Sequence, residues 1–155
     1  MAFQVYDIAR HFLARSPMTH KKLQKLCYYA QAWHFYYYNK PLMNTDFQAW
    51  IHGPVSPQLY DLYRRYGFDE IPAVDKSKVF ELDRHTASVL NAVYIVYGQY
   101  SGDELEARTH SETPWLKARG KLPPYQISHA VIAPELMMEY CQKSMNPNTG
   151  DYFTL

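Results

Sequence analysis

The sequence predicts a mostly α fold: a single compact helical domain built around a long central helix, with at most one or two short strands. Three observations lead there. First, Thr19 to Asn39 reads as one long helix that is apolar nearly all round. Leu23, Leu26, Cys27, Ala30, His34 and Tyr37 recur at helical period. Tyr28 and Phe35 lie opposite that stripe, flanked by Tyr29, Trp33, Tyr36 and Tyr38. A helix that is apolar on every side is usually surrounded by others. Second, capping and proline signals open several further periodic runs, whereas only two short pieces alternate like strands. Third, 155 residues with 47% hydrophobic and 20% charged make one globular domain that can bury a core without staples.

Each element has its own warrant. Val5, Ile8, Ala9 and Phe12, with Leu13 beside them, define a first amphipathic helix, which Ser16-Pro17 breaks. Thr19 is the expected N-cap of the long helix. Lys21, Lys22, Gln24 and Lys25 read as its solvated first turns. Phe47 to Ile51 alternates as a brief strand or extended connector, and His52-Gly53-Pro54 reads as a turn. Ser56-Pro57 pairs an N-cap with proline at the first helical position. Leu59, Tyr60, Tyr63 and Tyr66 form that helix's apolar side, and Gly67 ends it. Lys78 to Leu82 is a second candidate extended piece. Asp83 opens a helix with Ala87, Leu90, Val93, Tyr94 and Tyr97 on its stripe, closed at Gly98. Ser101 to Glu104 is a capping box. Thr109 to Trp115 reads as a connection with a bulky anchor, and Pro114 as the first residue of a short helix through Arg119. Pro134 begins a final helix with Leu136, Met137, Tyr140 and Cys141 as its contacts. The domain is expected over 1–143, with a polar tail over 144–155.

Charge and motifs exclude more than they assign. With 16 Lys+Arg against 15 Asp+Glu, the net charge of +1 argues for no general affinity for nucleic acid or anionic membrane. No apolar run is long enough to span a membrane, and the first residues do not read as a signal peptide. Cys27 and Cys141 lie in apolar helical patterns and read as reduced thiols of a cytoplasmic protein. The seven His show no metal-ligand spacing, and His110 and Glu112 are too close for a helical zinc pair. His34, in the core stripe, reads as a buried, hydrogen-bonded residue. There is no nucleophile elbow and no glycine-rich phosphate loop. No metal, cofactor or catalytic residue is expected. Trp50, Gly53-Pro54 and Pro114-Trp115 read as fold-fixing elements.

Three blocks, KLQKLCYYAQAWHFYYYNKPL, FQAWIHGPVSPQLYDLYRRYG and THSETPWLKARG, occur in that order. In this pattern the chain resembles the Panacea domain, the SocA-like, phage-associated antitoxin domain of toxin–antitoxin systems. Leu23, Leu26, Tyr28, Tyr29, Ala30 and Gln31 match the first block. Trp50, Gly53, Pro54, Val55 and Tyr60 match the second, and Thr109, His110, Glu112, Pro114 and Trp115 the third. The resemblance spans about Thr19 to Tyr140. It implies a mostly helical fold and neutralisation of a cognate toxin protein by direct contact. In one branch the domain is an adaptor that delivers the toxin to a ClpXP protease. No DNA-binding segment is appended to the blocks, so direct nucleic-acid binding is not expected.

Two hypotheses follow. In the first, the chain is an antitoxin that sequesters a small toxic protein. In the second, it is an enzyme of unknown reaction using His34, His52 or His110 with a tyrosine. A binding module predicts an exposed aromatic patch. An enzyme predicts an enclosed pocket of converging polar groups. For the first, the expected partner-binding residues are Lys21, Lys25, Tyr28 and Ala32, spaced four, three and four apart on one side of the long helix. Tyr60, Tyr63 and Arg64 are expected to join them from the next helix.

Overall fold

In the computed structural model, residues 2–145 are described. The first helix, α1 (Val5–Leu13), buries Val5, Ile8, Ala9, Phe12 and Leu13, the residues of its periodic stripe. A two-residue strand, β1 (Met18–Thr19), leads directly into α2 (His20–Tyr38). Thr19 caps α2, its hydroxyl accepting from the Lys22 N–H at 3.3 Å. Asn39 ends it in the left-handed conformation, φ 54°. This is one of the few non-glycine residues that tolerate that geometry.

Every residue of α2 from Leu23 to His34 is buried. The remaining helices account for this. They are α3 (Pro57–Tyr63), α4 (Arg84–Tyr97), α5 (Gly102–His110), α6 (Thr113–Arg119) and α7 (Pro134–Ser144). Helices α1, α3, α4, α5 and α7 all pack on α2. The Tyr29 ring lies flat on Tyr97 of α4, with centroids 3.8 Å apart, and the Trp33 Nε1–H donates to the Tyr97 hydroxyl at 3.0 Å. Met137 and Cys141 of α7 are buried, and both Cys27 and Cys141 are free thiols.

The caps fall where the sequence places them. Ser56 accepts from the Leu59 N–H, Asp83 from the Thr86 N–H, and Ser101 with Glu104 forms a reciprocal capping box. Prolines occupy the first turns of α3, α6 and α7.

The strands depart from expectation in number. Four short strands form two antiparallel pairs among the described residues. β2 (Gln48–Trp50) pairs with β3 (Gly53–Val55), and β1 pairs with β4 (Glu70–Ile71). Lys78 to Leu82 is not a strand; a 3₁₀ turn covers Lys76–Lys78 instead. Two-residue ladders are too short to leave an alternating signature, and only distant chain contacts decide them. The hairpin turn falls at Ile51-His52, so Gly53 and Pro54 belong to β3 rather than to the turn. Thr109 and His110 complete α5 rather than forming a connection. Helix α7 runs through Ser144, one residue past the expected domain limit. The remainder of the expected tail, from residue 146 on, lies outside the described residues.

Two glutamines tie loops to α2. The Gln24 side chain accepts from the Ser56 N–H at 2.9 Å and donates to the Ser56 carbonyl at 3.2 Å. One α-helical heptad later, Gln31 accepts from the Leu42 and Met43 N–H groups and donates to the Met43 carbonyl. Gln24 is therefore a buried clamp and not part of a solvated turn.

Candidate partner-binding groove

The three sequence blocks meet around the β2–β3 hairpin. Gly53 sits at φ 105°, a conformation that side chains rarely adopt. A Cβ there would lie 2.5 Å from Lys25 Cε and 2.8 Å from Thr109 Oγ1. Glycine thus lets the hairpin close over α2 and α5. Beneath it, the Lys25 ammonium donates to the Pro54 carbonyl at 3.3 Å. Lys25 is only 1% exposed, and burial drives its pKa down to about 7, with Glu106 partly opposing the shift.

The third block holds the other side of the hairpin. The Trp115 indole N–H donates to the Trp50 carbonyl at 2.8 Å, and Arg119 donates to the Ala49 carbonyl at 3.0 Å. The same guanidinium reaches the carbonyls of Pro123 and Gln126 and lies over the Trp115 ring. Behind them, buried Glu112 accepts from the Tyr29 hydroxyl at 2.8 Å. Burial raises its carboxyl to about 7; the nearby Tyr29 and Tyr140 hydroxyls and Arg108 offset only part of that effect. Gly53, Glu112, Trp115 and Arg119 thus build the scaffold.

Next to the hairpin, these supports frame an open, largely apolar groove of about 490 Å³. An aromatic rim runs along it: His129 on Trp50 (5.6 Å), Trp50 on Tyr60 (5.0 Å) and Tyr60 on His20 (5.5 Å). His20 is buried, which lowers its pKa to about 4, and nearby Lys25 adds to the shift. Gly67 ends the 3₁₀ turn Arg64–Tyr66 at φ 57° and is followed by Phe68, which is 96% exposed. Ile127, 70% exposed, stands on the 120s loop and also lines the groove. Such contiguous exposed apolar surface marks interaction sites.

At the edge, Lys21 contacts Asp103 at 2.8 Å and Glu106 at 2.6 Å. Although burial alone would lower its pKa, these two carboxylates raise it. The second Glu106 oxygen holds the His52 Nδ1 at 3.1 Å. Arg64 is exposed and makes no ion pair among the described residues.

Of the seven expected partner-binding residues, Lys21, Lys25, Tyr60 and Arg64 line this groove. Lys25 does so from beneath, as a buried cation and not as surface. Tyr63 is buried under the rim, with its ring against His20 and Tyr6. Tyr28 and Ala32 are core residues, 1% and 0% exposed, and Tyr28 packs edge-on to Phe47. The side of α2 that carries Lys25, Tyr28 and Ala32 is covered by the chain itself, so these three are not surface contacts. The helical wheel marks that side as distinct from the first stripe, but a helix buried all round has no free side.

Sequence reasoning did not find Phe68, Ile127, His129 or Trp50 as groove residues. Phe68 follows a helix-terminating glycine in a polar stretch, which is the one legible sign. The others come together only through folding.

The three candidate catalytic histidines do not form one site. His34 lines a different cavity and is hydrogen-bonded through Nδ1 to the Lys40 carbonyl at 2.7 Å. His110 stacks on Trp115 at 4.1 Å, and His52 faces Glu106. Among the described residues, no group of three or more His, Cys, Asp or Glu is placed to hold a metal, and no helix is long and apolar enough to cross a membrane.

No curated protein and no solved structure matches the chain. A family model, described as the SocA-like antitoxin Panacea domain, matches residues 23–116. That match runs from α2 through the hairpin to Trp115 and includes the Gly53–Lys25, Glu112–Tyr29 and Trp115–Trp50 contacts, so this chain belongs to the SocA-like antitoxin family of the Panacea domain.

Proposed function

We propose that this protein is a cytoplasmic antitoxin that neutralises a cognate toxin by binding it directly, without chemistry of its own. The observation that carries this reading is the exposed aromatic groove, with Phe68 and Ile127 standing free beside Trp50 and Tyr60. Binding energy concentrates in a few aromatic and arginine anchors. Tyr60 and Arg64, on α3 and the turn after it, are the anchors expected from sequence that also reach this rim. Lys21, tethered to Asp103 and Glu106, contributes more to the approach of the partner than to its grip. The same grip would serve delivery to a ClpXP-type protease, since an adaptor must first hold its cargo.

The test is co-expression of the toxin encoded beside this gene with Tyr60→Ala, Arg64→Glu and Phe68→Ser variants, each checked for an unchanged melting temperature. Cell survival and co-purification of the toxin should both fall. Folded variants that all protect as well as wild type would sink the proposal. Following the toxin's half-life in cells with and without ClpXP separates the two modes. A stable but silent toxin means sequestration, and a ClpXP-dependent loss means delivery.

A further inference from the structure

The groove has a lopsided charge. Its lining contains Lys21, Lys25 and Arg64, together with His20, His52 and His129, and no carboxylate. The chain as a whole is nearly balanced, at +1. The carboxylates that answer Lys21, Asp103 and Glu106, stand on α5 outside the groove wall. Arg64 and Lys25 have no carboxylate within ion-pair distance among the described residues. Among the described residues the buried Lys25 ammonium makes one hydrogen bond, to Pro54, where three donors are available. Apart from Gln24, Gly67 and Ser128, the remaining wall is apolar or aromatic.

We propose that the groove is a receptor for an acidic segment of the partner toxin bearing one bulky apolar side chain. That side chain enters between Trp50, Tyr60 and Phe68, and its neighbouring carboxylates face Arg64. This inference rests on the reading of the groove as the toxin-facing surface. Charge complementarity selects the occupant: Arg64, exposed and without an ion pair among the described residues, steers and registers an acidic partner. A nucleic acid strand fits less well. It needs a row of exposed cations along its backbone as well as stacking rings. Among the described residues Arg64 is the one lysine or arginine of the groove that is exposed and without an ion pair, and Ile51, Val55 and Ile127 make much of the wall aliphatic.

The experiment titrates the isotope-labelled full chain with an acetylated, amidated peptide in which one phenylalanine is flanked by aspartates and glutamates. Saturable shifts of the Trp50 indole N–H and the Ile127 methyls are expected. Binding should weaken about tenfold in Arg64→Glu and fall further with salt. A lysine-for-acid peptide and an alanine-for-phenylalanine peptide should not bind. No shift at millimolar peptide, equal binding of the lysine peptide, or tighter binding of oligothymidylate would each overturn the inference. If the peptide fails while Arg64→Glu and Phe68→Ser still abolish neutralisation, the toxin-facing reading survives without its acidic segment. If the peptide binds while both variants neutralise normally, the toxin is not the source of that segment and the inference falls together with that reading.

Discussion

Lys25 is held where an unpaired ammonium is costly. It is fully buried under Gly53, with the Pro54 carbonyl as its hydrogen-bond partner. Its pKa falls from 10.5 to about 7, because burial disfavours the charged form. The folded chain therefore binds fewer protons than the unfolded chain between those values, and stability rises as pH rises through that window. Lys25→Met keeps the volume and removes the charge. It should stabilise the fold by roughly 2–3 kcal/mol near pH 6, with the gain shrinking as pH rises from about 7 towards 10.5. Urea melts of both proteins across this range check it. A Met variant less stable than wild type at low pH would show that the ammonium is better solvated than its surroundings imply. The burial of this lysine was not legible in the sequence. A lysine in the first turns of a helix reads as solvated, and only the hairpin folding over it reverses that.

At the scale of elements, the β2–β3 hairpin depends on α6. Trp115 and Arg119 donate to the Trp50 and Ala49 carbonyls, and Arg119 also gathers the loop that carries Ile127. Arg119→Met retains the stem over Trp115 but leaves the buried Ala49 carbonyl, and the partly buried carbonyls of Pro123 and Gln126, without this donor. A loss of about 1–3 kcal/mol is expected, the usual cost of one orphaned buried acceptor. Hydrogen exchange should rise first in the hairpin and in the loop around residue 127. Uniform protection equal to wild type would mean that the hairpin stands without this clamp. The sequence marked Trp115 as an anchor from its size and the preceding proline. It gave no sign of Arg119, whose partners are main-chain carbonyls that any residue supplies.

For the whole molecule, α2 decides whether there is a fold at all. Tyr28 is enclosed by Tyr29 and Phe47 and is among the largest fully buried side chains. Tyr28→Ala removes an aromatic ring from the interior and should cost about 3–5 kcal/mol, as other large-to-small aromatic core changes do. Thermal melts should register this, and any loss of toxin neutralisation should track the unfolded fraction. Arg64→Glu should behave in the opposite way, folding normally and binding poorly. A folded Tyr28→Ala protein that fails only in binding would return that residue to the partner surface.

Local chemistry alone determined a good deal about this protein. The caps at Thr19, Ser56, Asp83 and Ser101, the proline-started helices and the periodic stripe of α1 all depend on neighbours within a few residues, so they stand plainly in the sequence. The three family blocks are legible for a related reason, because their residue types are fixed by close approaches such as Gly53 over Lys25. The rest was decided by contacts between distant segments. Met18 pairs with Ile71, Glu112 meets Tyr29, and Ile127 and Phe68 come to line one groove. Periodicity ranks the sides of a helix, but it does not say how many neighbours will cover them. For α2 the neighbours cover all sides through His34, and the proposed partner surface falls to the hairpin, α3 and two loops instead.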